Sequence, residues 1–196
     1  NLTGNTIYSH KDSFKATMQA EIITIGDELL IGQVVDTNSA WLGRTLGEDG
    51  IKVTQITSVQ DDADQIARTV NEALARVSIV LVTGGLGPTR DDITKHTLAE
   101  LFGMRLVRDE QVYETVRRQL AVRGIAFNEL NRGQALVPDG CTVLPNRNGT
   151  APGMWFERGG KILVSMPGVP FEMKALVTDE VLPRLRTHFS LHANVH

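Results

Sequence analysis

Cysteine is nearly missing from this chain, with Cys141 the single example among 196 residues. One thiol excludes an internal disulfide, and no Cys/His spacing matches a zinc site, so a reducing cytoplasm is the expected setting. Aromatic residues make up only 5% of the sequence. Trp41 and Trp155 are expected to pack rather than to serve as stacking platforms. No stretch approaches the roughly 18 apolar residues that would suggest a membrane span. Near the N-terminus, Lys11, Asp12 and Lys15 interrupt any apolar core of a signal peptide. A basic tract is absent too: 20 Lys and Arg against 23 Asp and Glu give a net charge of -3. The sequence therefore carries no signature of a nucleic-acid or membrane partner. Histidine is sparse, His96 reads as a surface residue of a helix, and no Ser/His/Asp or Cys/His arrangement stands out.

What is present is a balanced 41% hydrophobic and 22% charged chain, long enough for one good-sized core. Residues 1–17 are polar and aperiodic, and are expected to be a leader or disordered extension ahead of Met18. A single α/β domain is expected over 18–190, with 191–196 as a tail.

Strand-like and helix-like patterns alternate. Residues 20–25 form a β-branched run, followed by a long loop and a helix over Thr37–Glu48 with Trp41, Leu42, Thr45 and Leu46 at helical spacing. Residues 52–59 read as a strand, and Asp62 caps a helix carrying Ile66, Val70, Ala73, Leu74 and Val77, with Gln65 placed for a capping box. The continuously apolar run 78–83 reads as a central strand of a parallel sheet covered on both faces. Helices follow over 93–102, after Asp109, and over 128–136, the last closed by Pro138-Asp139-Gly140. A brief strand at 142–144, a hairpin over 154–165 and a terminal helix from Pro170 to about Phe189, with Pro183 as a possible kink, complete the chain. Repeated strand-helix units imply a three-layer α/β/α sandwich with a mostly parallel sheet. Ligands collect at the carboxyl ends of such strands.

Three loops fall on that edge. The first, 26–38, offers Asp27, Glu28 and Asp36 as carboxylates and Asn38 as an amide; oxygen donors of this kind suit Mg²⁺ or Mn²⁺. Asp36 as a helix cap and Glu28 as a solvated surface residue are the plain alternative. The second loop is Thr83-Gly84-Gly85-Leu86-Gly87-Pro88-Thr89-Arg90-Asp91-Asp92. Its glycines can aim successive N–H groups at one point near a helix start, which suits a phosphate or carboxylate, and Arg90 offers a planar bidentate grip. Asp91 and Asp92 call for a metal, a cap or a proton near an anion. The motif is neither a P-loop nor a dinucleotide fingerprint. The third loop, Pro167-Gly168-Val169-Pro170, again leads from strand to helix, and residues 146–153 form a turn able to fold over the pocket.

These motifs together, Gly-Asp-Glu-Leu at 26–29, Asp36-Thr37-Asn38, the glycine loop with Asp91-Asp92-Ile93-Thr94, and Pro167–Pro170 with Glu172-Met173, resemble the CinA family of competence/damage-inducible proteins. The resemblance runs from Met18 to about Arg186 and implies the molybdopterin-binding-protein-like fold, shared with the cofactor-biosynthesis proteins MogA, MoaB and MoeA. It implies metal-dependent hydrolysis of ADP-ribose or a related pyrophosphate, with Mg, Mn or Co as cofactor and a nucleotide or pterin as partner, and it is compatible with a homo-oligomer. On that reading Asp92, Asp91 and Arg90 act on the substrate. Thr83, Gly84, Gly85, Gly87, Thr89, Asn38, Pro167 and Gly168 hold its phosphate, and Asp27, Glu28 and Asp36 hold metal. Leu86, where the biosynthetic proteins more usually have threonine, and Asp91, where they often have arginine, favour the CinA branch. The deamidase domain of longer members is not expected in this chain. A molybdopterin-binding protein of cofactor biosynthesis and a non-catalytic nucleotide-binding module remain open alternatives.

Overall fold

The computed structural model describes residues 18–86 and 93–190. Its core is a six-stranded sheet in the order β2-β1-β3-β8-β7-β6. The strands are β1 (Met18–Ile25), β2 (Ile51–Val59), β3 (Ile79–Gly84), β6 (Thr142–Leu144), β7 (Gly153–Arg158) and β8 (Lys161–Met166). β2, β1, β3 and β8 run parallel, whereas β7 lies antiparallel to both β8 and β6. β3 is buried at every position, as its unbroken apolar run requires of a strand covered on both faces.

Side chains alternate across the sheet and divide the core in two. Ile22, Leu81 and Val164 point to one face, where they meet α2 (Thr37–Glu48) and the C-terminal helical segment. Ile23, Val80, Val82 and Leu163 point to the other, against α3 (Ala63–Arg76) and α4 (Ile93–Leu101). The result is a three-layer α/β/α sandwich. A smaller cluster of Val112, Val116, Leu120, Ala135 and Val137 packs α5 (Glu110–Val122) beside a two-stranded sheet of β4 (Leu106–Arg108) and β5 (Leu136–Pro138).

Several boundaries differ from the sequence reading for local reasons. The loop after β1 contains a short helix, α1 (Asp27–Leu30). The helix capped by Asn128, α6 (Glu129–Gly133), ends earlier than its pattern suggests, because Leu136–Pro138 pairs with Leu106–Arg108. Asp62 caps α3 by accepting from the Gln65 amide at 2.9 Å, but the Gln65 side chain turns to Gln60 Oε1, so the box is only half made. The terminal helix runs as α7 (Pro170–Leu176), a π-helical turn (Val177–Val181) and α8 (Leu182–His188). The widened turn lies directly before Pro183, whose missing N–H and bulky ring disfavour a regular α-turn.

Trp155 is buried and its indole nitrogen donates to Glu157 Oε1 at 2.7 Å, while Trp41 packs at the edge of the core. Both are packing residues. His96 is exposed, as expected. Among the described residues no helix is long and apolar enough to cross a membrane.

Candidate functional site

The three loops meet where the carboxyl ends of β1, β3 and β8 lie side by side. Gly84 has φ +103, and a Cβ there would strike the carbonyl oxygen of Ile25 at the end of β1. Gly85 has φ +66, and a Cβ would strike the Thr94 hydroxyl in α4. A Cβ on Gly168 would sit 3.2 Å from the Gly84 Cα. Glycine is therefore required here first by packing: three backbones approach more closely than side chains permit.

Asn38, near the start of α2, ties the loops together. Its Nδ2 donates to Gly168 O at 2.8 Å and to Thr83 Oγ1 at 3.3 Å. Thr83 Oγ1 in turn donates to Pro167 O at 3.0 Å. A carbonyl can only accept, so the bond to Gly168 fixes the amide orientation. The Asn38 Oδ1 that faces the other way is buried and lacks a hydrogen-bond partner.

Above this floor lies a cleft of about 390 Å³ lined by Thr24, Ile25, Glu28, Leu29, residues 34–38, Thr83, Gly84, Gly85, Leu86 and Gly168–Pro170. Val34, Val35 and Val169 are exposed apolar side chains on its rim, Val35 at 80%. The cleft brings together Thr83, Gly84, Gly85, Asn38, Gly168, Glu28 and Asp36. Pro167 borders it through its bond to Thr83. Gly87, Thr89, Arg90, Asp91 and Asp92 lie outside the described residues.

The three carboxylates of the first loop have different circumstances. Asp36 caps α2: Oδ1 accepts from the Ser39 amide at 3.0 Å and Oδ2 from the Ser39 hydroxyl. Asp27 is exposed, outside the cleft lining, and accepts from the Asp61 amide at 3.4 Å. Glu28 lines the cleft with its carboxylate folded over Gly26, where a Cβ would lie 2.5 Å from Oε1. Among the described residues no three His, Cys, Asp or Glu side chains gather as a metal site. Hard oxygen donors suit a divalent cation in kind; Glu28 fits that role, whereas the cap already engages both oxygens of Asp36.

Sequence reasoning missed two residues beside this region. Lys95, in the first turn of α4, is only 4% exposed and its Nζ donates to Gly133 O at 2.9 Å. A lysine spaced three and four residues ahead of buried Leu98 and Ala99 lies on the apolar stripe of α4, and that spacing was the available signal. Gln134, after α6, is 4% exposed with an unpartnered Oε1. Nothing local marks it, because its burial depends on the packing of distant segments.

Residues 21–187 match the family model described as a probable molybdopterin binding domain. The chain belongs to this family. Within it, a CinA-like protein of Cytophaga hutchinsonii is 49% identical over 177 residues, which cover 90% of this chain and 42% of that protein. The chain thus spans about two fifths of the length of the curated relatives it matches. The crystal structure of the protein CinA, of unknown function, from Thermoplasma acidophilum superposes with TM-score 0.78 at 35% identity, covering 85% of this chain and 98% of that one. A molybdenum cofactor biosynthesis protein B superposes with TM-score 0.59 at 24% identity, over 89% and 96% of the two chains, a likeness of fold. The chain is a CinA-like member of the molybdopterin-binding domain family.

Proposed function

We propose that this CinA-like domain hydrolyses the pyrophosphate of ADP-ribose or a related nucleoside diphosphate. The observation that carries the reading is the meeting of three glycine-bearing loops at the carboxyl edge, beneath a cleft of about 390 Å³ with apolar walls and a backbone floor. Such a site suits a ligand with a flat apolar end and a phosphate.

In this reading the glycine loop holds the pyrophosphate through backbone amides, and the role assigned to Arg90 is to stabilise the charge that develops on the leaving phosphate. Asp92 takes the proton of a water whose oxygen bonds to phosphorus as the bridging P–O bond breaks, releasing AMP and the sugar phosphate. Asn38 holds the third loop against the second, so the cleft keeps its width while the bond breaks. Glu28 is the cleft residue that would hold a divalent cation, Mg, Mn or Co, which when bound supplies Lewis-acid stabilisation.

The test is AMP release from ADP-ribose with each of Mg²⁺, Mn²⁺ and Co²⁺ and without metal, for the natural chain and Asp92→Asn. Metal-dependent turnover that collapses in the variant supports the reading. A folded protein that binds nucleotide yet turns nothing over with any metal overturns it. The match to a molybdopterin-binding family favours a second reading, a pterin site without hydrolysis. Tight pterin binding in the absence of turnover would select that reading.

A further inference from the structure

Asn148-Gly149 is the only Asn-Gly pair in the chain, and it lies in the loop between β6 and β7, outside any helix or strand. Glycine after asparagine leaves the next amide nitrogen unshielded, because no side chain stands beside it.

The fold leaves both reacting groups open. Asn148 is exposed, and among the described residues neither its side-chain amide nor the Gly149 N–H makes a hydrogen bond. Its backbone is held instead: the Asn148 N–H donates to Asn146 Oδ1 at 3.0 Å, and its carbonyl oxygen accepts from Arg123 Nη2 at 3.1 Å. Glycine at 149 is required by packing, because a Cβ there would strike the Glu172 carboxylate, whose Oε2 accepts from Asn146 Nδ2 at 2.7 Å. A side chain that would shield the nitrogen has no room.

We propose that Asn148 is a site of spontaneous deamidation and that Arg123 directs the product to isoaspartate. Hydroxide removes the Gly149 amide proton and the nitrogen bonds to Asn148 Cγ. The Cγ–Nδ2 bond then breaks, Nδ2 takes a proton from water and leaves as ammonia, and a cyclic imide closes. Water adds to the main-chain carbonyl carbon of residue 148, and the bond from that carbon to the Gly149 nitrogen breaks as the nitrogen takes a proton. The chain now runs through Cβ and Cγ, and the freed main-chain carboxyl ionises. Arg123 already donates to the oxygen of the carbonyl that water attacks, so it draws electron density from that carbon and pairs with the carboxylate formed. Attack at Cγ would give aspartate, without that partner. The product puts a new charge and a longer main chain into the loop that joins α5, through Gln119, to α7, through Glu172.

Asn146, in the same loop, is an internal control. It is buried, its Nδ2 donates to Ala151 O and Glu172 Oε2, and arginine follows it. Peptide mapping by mass spectrometry after incubation at mildly alkaline pH, with isoaspartate counted by an isoaspartyl methyltransferase, tests both parts. Asn148 is expected to convert while Asn146 stays intact, and Asn148→Gln should abolish the signal. Arg123→Ala should lower the isoaspartate-to-aspartate ratio about five-fold, and so should unfolding in urea. Asn148 that stays intact in the folded chain while it converts in urea overturns the site. Conversion with a ratio unchanged in Arg123→Ala overturns the role of Arg123.

Discussion

Replacing Gly84 by alanine asks how closely the ends of β1 and β3 are held beneath the cleft. Gly84 combines φ +103 with a Cβ direction that meets the Ile25 carbonyl oxygen, a backbone atom that cannot rotate away. Gly103 supplies an internal control, because it has φ +67 but nothing within 4 Å of a built Cβ. For Gly103→Ala the left-handed backbone costs about 1–2 kcal/mol, offset by about 0.4–1 kcal/mol from the stiffer unfolded chain. A net loss of about 1 kcal/mol follows. For Gly84→Ala the backbone strain is joined by a collision that must part β1 from β3, and a loss of about 3 kcal/mol or more is expected. At roughly 2–4 °C per kcal/mol for a chain of this size, Tm falls by about 6–12 °C for Gly84→Ala and about 2–4 °C for Gly103→Ala. Urea melts followed by circular dichroism, with thermal scans alongside, measure both. Equal losses for the two variants would refute the close-approach argument and with it the geometric account of the cleft floor.

Asn38→Ala removes the donor to Gly168 O and Thr83 Oγ1 and is expected to cost about 1–3 kcal/mol in urea unfolding. Asn38→Asp should be worse than alanine at neutral pH, because it sets a carboxylate oxygen against the Gly168 carbonyl; a milder aspartate variant would sink the bridging role. Asp109→Ala loses the cap that accepts from the Val112 amide at 2.9 Å, and chemical unfolding should show a loss of about 1 kcal/mol. Burial pushes the Cys141 thiol up to about 11. The folded state thus favours the protonated thiol: this contribution is complete below the unfolded-chain value near 9 and is lost as pH rises from there through about 11. Alkylation of Cys141 at pH 9 should run about fifty-fold slower in the folded protein than in urea, and comparable rates would contradict the burial account.

The order of elements and the parallel sheet were legible in the sequence because both are written in local patterns. The unbroken apolar run of Ile79–Val82 reads as a strand covered on both faces, and every position of β3 is buried. Asp62 and Asp109 each stand at a helix start and each caps it. The three loops at the carboxyl edge were legible for the same reason, since glycine or proline follows the ends of β1, β3 and β8.

What the tertiary structure alone decided concerns contacts between distant segments, which no local period encodes. Leu136–Pro138 became a strand because Leu106–Arg108 offers it a partner. Of three similar carboxylates in one loop, Asp36 was committed to Ser39, Asp27 turned toward Asp61, and Glu28 remained at the cleft. Gln134 and Lys95 became buried polar groups beside the site only when α4 and the end of α6 came together. Sequence by itself determined where the chain turns and which strand ends carry the glycine loops, because backbone sterics and hydrophobic period act over a few residues. Which polar atoms are tied up within the protein was settled by the fold, through hydrogen bonds across 38, 45 and 130 positions of chain.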